Sequence, residues 1–215
     1  MKLPASLSSF PALCAAAAIV LSGCGHDGGG GLSNKDPGNN DVNAVVAFGD
    51  SITQGSECPC TPYPARLAGL TGKSVANCGI SGSRASDNVS RTQSAIDKYH
   101  PGFMIILYGV NDIIHGGGAG TVAAAVGGMV SICKENHVVP ILATYPLPIA
   151  GHRIFSGGTQ AANAAIRSIA SDNGLKCVDL EREFSGREEQ WLMEDGLHPN
   201  DTGTQMMALA FADLF

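Results

Sequence analysis

Positive charge is scarce in this chain. Thirteen Lys and Arg stand against 19 Asp and Glu, for a formal net charge of −6. No basic stripe interrupts that balance, so the electrostatic footprint of a nucleic-acid binder is missing. An anionic membrane surface is disfavoured on the same ground, and attachment to one needs another cause. A membrane-spanning run is missing too: the apolar stretch at residues 13–21 falls short of the roughly 20 residues a helix needs to cross a bilayer. Cysteines at metal-ligand spacing are also absent. Cys58-Pro59-Cys60 lacks the usual two-residue spacer and has no matching second pair, which argues against zinc. There is no internal repeat. What remains is a composition 44% apolar and 15% charged over 215 residues. That is enough for one globular domain with a continuous core.

The cause of attachment lies at the N-terminus. Lys2, the short apolar stretch and the small residues Ser22 and Gly23 read as a signal peptide over residues 1–23. Leu21-Ser22-Gly23-Cys24 resembles the bacterial lipobox, which implies cleavage before Cys24 and a lipid on its thiol. An ordinary secretory signal with an incidental cysteine is the alternative. Gly25 rather than Asp follows the cysteine, which in a Gram-negative cell implies sorting to the outer membrane. Residues 24–43, rich in Gly, Asn, Asp and Ser, have almost nothing to bury and read as a flexible tether. The folded domain is expected over residues 44–215.

From residue 44 onward, short continuous apolar runs at 44–48, 74–78, 103–108, 138–144 and 175–180 alternate with helix-like stretches. These stretches fall at 62–71, 88–98, 121–136, 159–173 and 202–214. Continuous rather than alternating apolar runs suggest strands covered on both faces. The pattern predicts an α/β fold, a five-stranded parallel sheet between two helical layers. Gly72 and Gly174 stand where helix C-caps are expected, and Thr202 with Gln205 suggests a capping box. In such sheets ligands bind beyond the carboxyl ends of the strands, so chemistry is sought just after Phe48, Cys78, Tyr108, Thr144 and Leu180.

Four segments there carry suitable groups. Gly49-Asp50-Ser51 follows the first run and offers either an exposed serine at a strand-to-helix turn or two helix-capping residues. Ile80-Ser81-Gly82 follows the second, where a glycine lets backbone N–H groups approach a ligand. Tyr108-Gly109-Val110-Asn111-Asp112 follows the third; Asn111 can donate into the crevice or merely stabilise a turn. Asp195-Gly196-Leu197-His198-Pro199 lies near the C-terminus, with a carboxylate three residues before a histidine, able to bond its ring and fix the tautomer. His115 and His152 also fall in loops after strands but lack a paired carboxylate.

Taken in order, these segments resemble the blocks of the GDSL/SGNH hydrolase family, over about residues 45–215. Ile52 stands where the family usually has Leu. The pentapeptide Gly-x-Ser-x-Gly of α/β-hydrolases is not matched. The resemblance implies Ser51 as nucleophile, His198 as its base and Asp195 as the residue that orients His198. It further implies an oxyanion hole from the Ser51 and Gly82 backbone and the Asn111 side chain, with no metal or organic cofactor. The implied substrate is a small-molecule or glycan ester, with short-chain or O-acetyl esters expected. Lysophospholipase, thioesterase or O-acyltransferase chemistry on the same residues stays open, as does a non-catalytic surface-binding lipoprotein. A metal-dependent phosphoesterase using Asp50, Asn111 and His198 is disfavoured, because Ile52 stands where such sites carry a second ligand. Pocket walls are expected from residues 54–64, 115–121 and 146–159; Leu147, Ile149, Ile154 and Phe155 could line an acyl channel, but packing on the domain is the favoured reading. Once Cys14 is removed and Cys24 lipidated, Cys58, Cys60, Cys78, Cys133 and Cys177 remain, in a compartment that permits disulfides. A bridge from Cys58 or Cys60 to Cys78 is expected, clamping the loop after Ser51.

Overall fold

The structure is a computed structural model and describes residues 35–215. The expected signal peptide, Cys24 and the tether as far as residue 34 lie outside the described residues. The strands are β1 (Asp41–Gly49), β2 (Ser74–Gly79), β3 (Pro101–Leu107), β4 (Val139–Ala143) and β5 (Lys176–Val178). They pair in parallel in the order β2-β1-β3-β4-β5. Each coincides with one of the five apolar runs, although β1 starts at Asp41, inside the segment expected to be tether.

The apolar runs are continuous because both faces of the sheet are covered. In β1, Val45 and Ala47 face one core while Val46 and Phe48 face the other, as the two-residue period of a strand requires. The first core is closed by α2 (Tyr63–Thr71) and α10 (Asp201–Ala212) through Tyr63, Leu67, Met207 and Phe211. The second is closed by α4 (Arg91–Tyr99), α6 (Ala119–Glu135) and α7 (Ser156–Asp172) through Ile96, Val126, Met129 and Ile166. Short helices sit at the strand ends: α1 (Ser51–Gln54), α3 (Ala85–Asn88), α5 (Val110–Ile114), α8 (Leu180–Phe184) and α9 (Glu188–Trp191). This is the expected α/β architecture, with helices on both sides of a five-stranded parallel sheet.

Local details differ from expectation where a tertiary contact intervenes. The helix expected at 88–98 is α4, starting at Arg91, and a short helix not expected, α3, precedes it. The N-terminus of α3 is held by the Asp112 carboxylate, which accepts from Ala85 N–H at 2.7 Å and Ser86 N–H at 3.1 Å. The capping box of Thr202 and Gln205 does not form. Asn200 is the N-cap of α10, accepting from Gly203 N–H at 3.0 Å, while Gln205 accepts from Arg66 at 2.7 Å. Gly72 caps α2 in the left-handed conformation. In α7 the cap is Asn173, and Gly174 follows it, its N–H bonded to Ser171 O.

The chain leaves β1 for β2 on one side, then returns to β3 on the other. That reversal opens a crevice at the carboxyl ends of β1 and β3. Gly49 ends β1 there. A Cβ on it would lie 2.1 Å from Thr53 Oγ1 and 2.6 Å from Leu107 O, so α1 sits tightly on the sheet. In contrast, Gly127 lies within α6 with open space where a Cβ would go. Gly49→Ala should therefore lower the unfolding free energy by about 1–3 kcal/mol. Gly127→Ala should raise it by about 0.5–1 kcal/mol. Urea midpoints of the two variants should move in opposite directions.

Candidate active site

At the end of β1 the chain turns through Asp50, whose Oδ1 accepts from Ile52 N–H at 3.0 Å and so caps α1. Ser51 is the first residue of that helix. Its Oγ lies 2.9 Å from His198 Nε2. On the far side of the ring, Nδ1 lies 2.5 Å from Asp195 Oδ2. The other oxygen, Oδ1, accepts from the N–H groups of Leu197 at 2.9 Å and His198 at 3.1 Å. Because a carboxylate only accepts, Nδ1 carries the hydrogen and Nε2 is left to accept from the serine hydroxyl. Burial pushes the Asp195 carboxyl up, but the bonds from the His198 ring and the two N–H groups outweigh it and hold it below the usual carboxylate range.

The loop that carries His198 is fixed at several points. Met193 N–H donates to His198 O at 2.8 Å, and Leu192 pairs with Pro199. Gly196 has φ 73°, and a Cβ there would fall 2.3 Å from Ile149 O. Ile149 N–H in turn donates to Gly196 O at 2.8 Å. His152, expected only to border the crevice, lies with Nδ1 2.7 Å from the carbonyl of Asp195.

The remaining two blocks meet this pair from the other side. Ile80 N–H donates to Gly49 O at 3.0 Å, and Ser81 N–H to Gln54 Oε1 at 2.7 Å, which ties the loop after β2 to the turn that carries Ser51. Gly82 is exposed, with φ 72° and open space where a Cβ would go. Neither its N–H nor that of Ser51 donates to a protein acceptor among the described residues. Asn111, buried in the first turn of α5, donates from Nδ2 to Ser83 O at 3.1 Å and to Asp50 Oδ2 at 3.2 Å. All six expected chemical groups, from Ser51, Gly82, Asn111, Asp195 and His198, thus belong to the carboxyl-end face of the sheet.

Two partners of this site escaped the sequence reading. The Asp50 carboxylate, next to Ser51 in the chain, is fully buried. Its Oδ2 accepts from Tyr145 Oη at 2.7 Å as well as from Asn111. Burial pushes the Asp50 carboxyl up to about 6, against the opposing bonds from Tyr145 and Ile52 and the charge of His198. Tyr145 follows β4, at a strand end where chemistry was sought, but a lone aromatic there reads as core.

The groove at Ser51 and His198 is small, about 10 Å³, and bounded by Ile52, Gly55, Glu57, Cys58, Pro199 and Thr204. Glu57 also lines a larger open cleft of about 550 Å³ with Leu192, Met193, Glu194, Asp195 and Asn200. The expected wall at 54–64 is thus partly present, joined by the segment around residues 192–200. Ile149 and Phe155 pack on the domain as expected, but Ile154 is 82% exposed.

The expected bridge to Cys78 does not form. Cys58 and Cys60 are bonded to each other. Cys60 Sγ lies against Thr204 of α10 on the first core's side, whereas Cys78 packs against the second core. The sheet itself separates them.

The GDSL-like Lipase/Acylhydrolase family matches residues 47–206. Thioesterase 1/protease 1/lysophospholipase L1 of Escherichia coli (strain K12) is 22% identical over 162 residues, covering 74% of this chain and 76% of that protein. A lipolytic protein of the G-D-S-L family from Desulfitobacterium hafniense DCB-2 superposes with a TM-score of 0.70 and 26% identity, covering 80% of this chain and 99% of that one. An acetyl xylan esterase superposes with a TM-score of 0.70 and 22% identity, covering 80% and 98%.

The Asp50 carboxyl has a consequence for stability. It holds a proton more readily in the folded chain, at about 6, than at its ordinary 3.8. Between those values the folded state binds more protons than the unfolded one, so this group makes stability fall as pH rises. Asp50→Asn should flatten that stretch of the curve. Urea midpoints of both proteins, taken across about pH 4 to 6, would show it, and parallel curves would refute it.

Proposed function

The chain belongs to the GDSL-like lipase/acylhydrolase family, an ester-bond hydrolase, and from that premise we propose that it is a serine esterase acting through an acyl-enzyme on Ser51. The unbroken chain of contacts from Ser51 Oγ through His198 to Asp195 carries this reading. In this mechanism Ser51 Oγ attacks the ester carbonyl carbon while its proton passes to His198 Nε2. Asp195 holds the ring and stabilises the imidazolium. The N–H groups of Ser51 and Gly82, unpaired among the described residues, and the amide of Asn111 receive the carbonyl oxygen as it gains charge. His198 then protonates the departing alcohol. Water, activated by the same ring, cleaves the acyl-enzyme and frees Ser51.

The substrate we propose is a short-chain or O-acetyl ester of a hydroxyl-rich alcohol such as a glycan. The groove against Ser51 and His198, about 10 Å³, holds little more than one water and is no channel for a long acyl chain. The larger cleft, bordered by Glu57, Glu194 and Asn200, offers hydrogen-bond partners to the alcohol side. An acetyl xylan esterase among the structural relatives fits this reading. The relative named thioesterase 1/protease 1/lysophospholipase L1 supports a second reading, hydrolysis of a thioester or lysophospholipid on the same residues. We further propose that residues 1–23 are removed on export and that a lipid on Cys24 holds the domain at the cell envelope.

Nitrophenyl esters of two to sixteen carbons test the catalytic reading. Activity should be highest on the shortest chains, and Ser51→Ala should lower kcat on the order of 10⁶-fold. A preference for long chains would overturn the substrate class, and an unimpaired Ser51→Ala the mechanism. For the anchor, Cys24→Ser should move the protein from the detergent-soluble membrane fraction to the aqueous one. Wild-type protein already in the aqueous fraction would refute it.

A further inference from the structure

One buried ionisable group at the site has no part in the proton transfers above. Asp50 is fully buried and adjoins Ser51, and its carboxylate accepts three hydrogen bonds from three separate elements. These come from Ile52 N–H of α1 to Oδ1 at 3.0 Å, and from Tyr145 Oη and Asn111 Nδ2 to Oδ2 at 2.7 and 3.2 Å. The titratable groups facing it are Tyr63 of α2, Tyr108 after β3, Tyr145 after β4 and His198. No Lys or Arg bonds to its carboxylate among the described residues. Its charge is therefore balanced mainly by hydrogen bonds.

We propose that Asp50 and Tyr145 are positioning residues for the oxyanion site: the ionised Asp50 carboxylate anchors one hydrogen of the Asn111 amide, leaving the other for the substrate oxygen, and activity requires Asp50 ionised. The inference rests on the reading of Asn111 as an oxyanion donor. Asn111 has two amide hydrogens. One goes to Asp50; the other rests on the Ser83 carbonyl at 3.1 Å, a neutral acceptor that an oxyanion displaces. A bond to a charged acceptor is roughly twice as strong as a neutral one, so Asp50 is the contact that persists.

Tyr145 favours the ionised form of Asp50, yet it has a partner in either protonation state. Its hydroxyl lies 2.7 Å from Asp50 Oδ2 and 2.9 Å from Leu107 O. It has one hydrogen for the two acceptors. While Asp50 is ionised, that hydrogen serves the carboxylate. When Oδ2 takes a proton, the tyrosine turns its hydrogen to Leu107 O and accepts the new Asp50 O–H instead. No buried group is left unpaired, yet Asn111 now faces a hydroxyl rather than a carboxylate. The position of the Asp50 carboxyl, pushed up to about 6 by burial, places this exchange just below neutral pH.

The test is the pH profile of kcat for 4-nitrophenyl acetate, read at the isosbestic wavelength, in wild type, Tyr145→Phe, Asp50→Asn and Asn111→Ala. Removing the Tyr145 hydroxyl removes a bond that favours the ionised carboxylate. The acid limb of Tyr145→Phe should therefore move up by about one pH unit. Asp50→Asn should lose about tenfold to a hundredfold in kcat at alkaline pH with KM little changed, and its acid limb should fall with a single proton. A folded Tyr145→Phe whose acid limb coincides with that of wild type overturns the proposal, whether or not Asp50→Asn folds. Asn111→Ala separates the two levels of argument: a loss of about 10²–10³ in kcat upholds the oxyanion reading even if the limb does not move. Full activity in that variant removes the reading, and the proposal with it.

Discussion

A carboxylate cannot be taken out of water without donors to replace the water, and at the end of β1 that requirement organises the whole catalytic face. Asp50 is fully buried. Desolvating such a charge costs several kcal/mol unless hydrogen bonds replace the solvent. The replacements come from α1, from the residue after β4 and from α5, which lie far apart in sequence. Satisfying one charge therefore fixes the nucleophile turn, the far strand and the amide-bearing helix relative to each other. Asp112, next to Asn111, extends the same logic. Its two oxygens take the first N–H groups of α3 and thereby set the loop that carries Gly82.

The histidine is held by a different principle. Asp195 reaches the ring and the backbone of its own turn, three residues or fewer away. That unit is local, and it is docked as a block through Ile149 and His152. One half of the site is thus a long-range network and the other a preassembled turn laid against it.

This contrast explains how much was legible beforehand. The strands were readable because Val45 to Phe48 and Met104 to Leu107 are apolar without interruption, and only a sheet covered on both faces buries both sets. The Asp195–His198 pair was readable because its spacing lies within one turn. Ser51, Gly82 and Asn111 were readable from short blocks at strand ends. Tyr145 was not, because its partner Asp50 lies 95 positions away and nothing in its neighbourhood distinguishes it from a core aromatic. The short helix α3 was hidden for the same reason, its first N–H groups being held by Asp112. The cysteine expectation failed on side-chain direction: proximity to one rim was foreseen, but Cys78 projects through to the opposite face of the sheet from Cys60.

β1 also fixes an orientation. The chain enters the sheet at Asp41 and reaches Ser51 only after the nine residues of that strand, a rise of roughly 30 Å at about 3.3 Å per residue. The incoming chain and the nucleophile therefore stand at opposite ends of the domain. Anything that grips the polypeptide upstream therefore meets the domain at the end of β1 remote from the crevice.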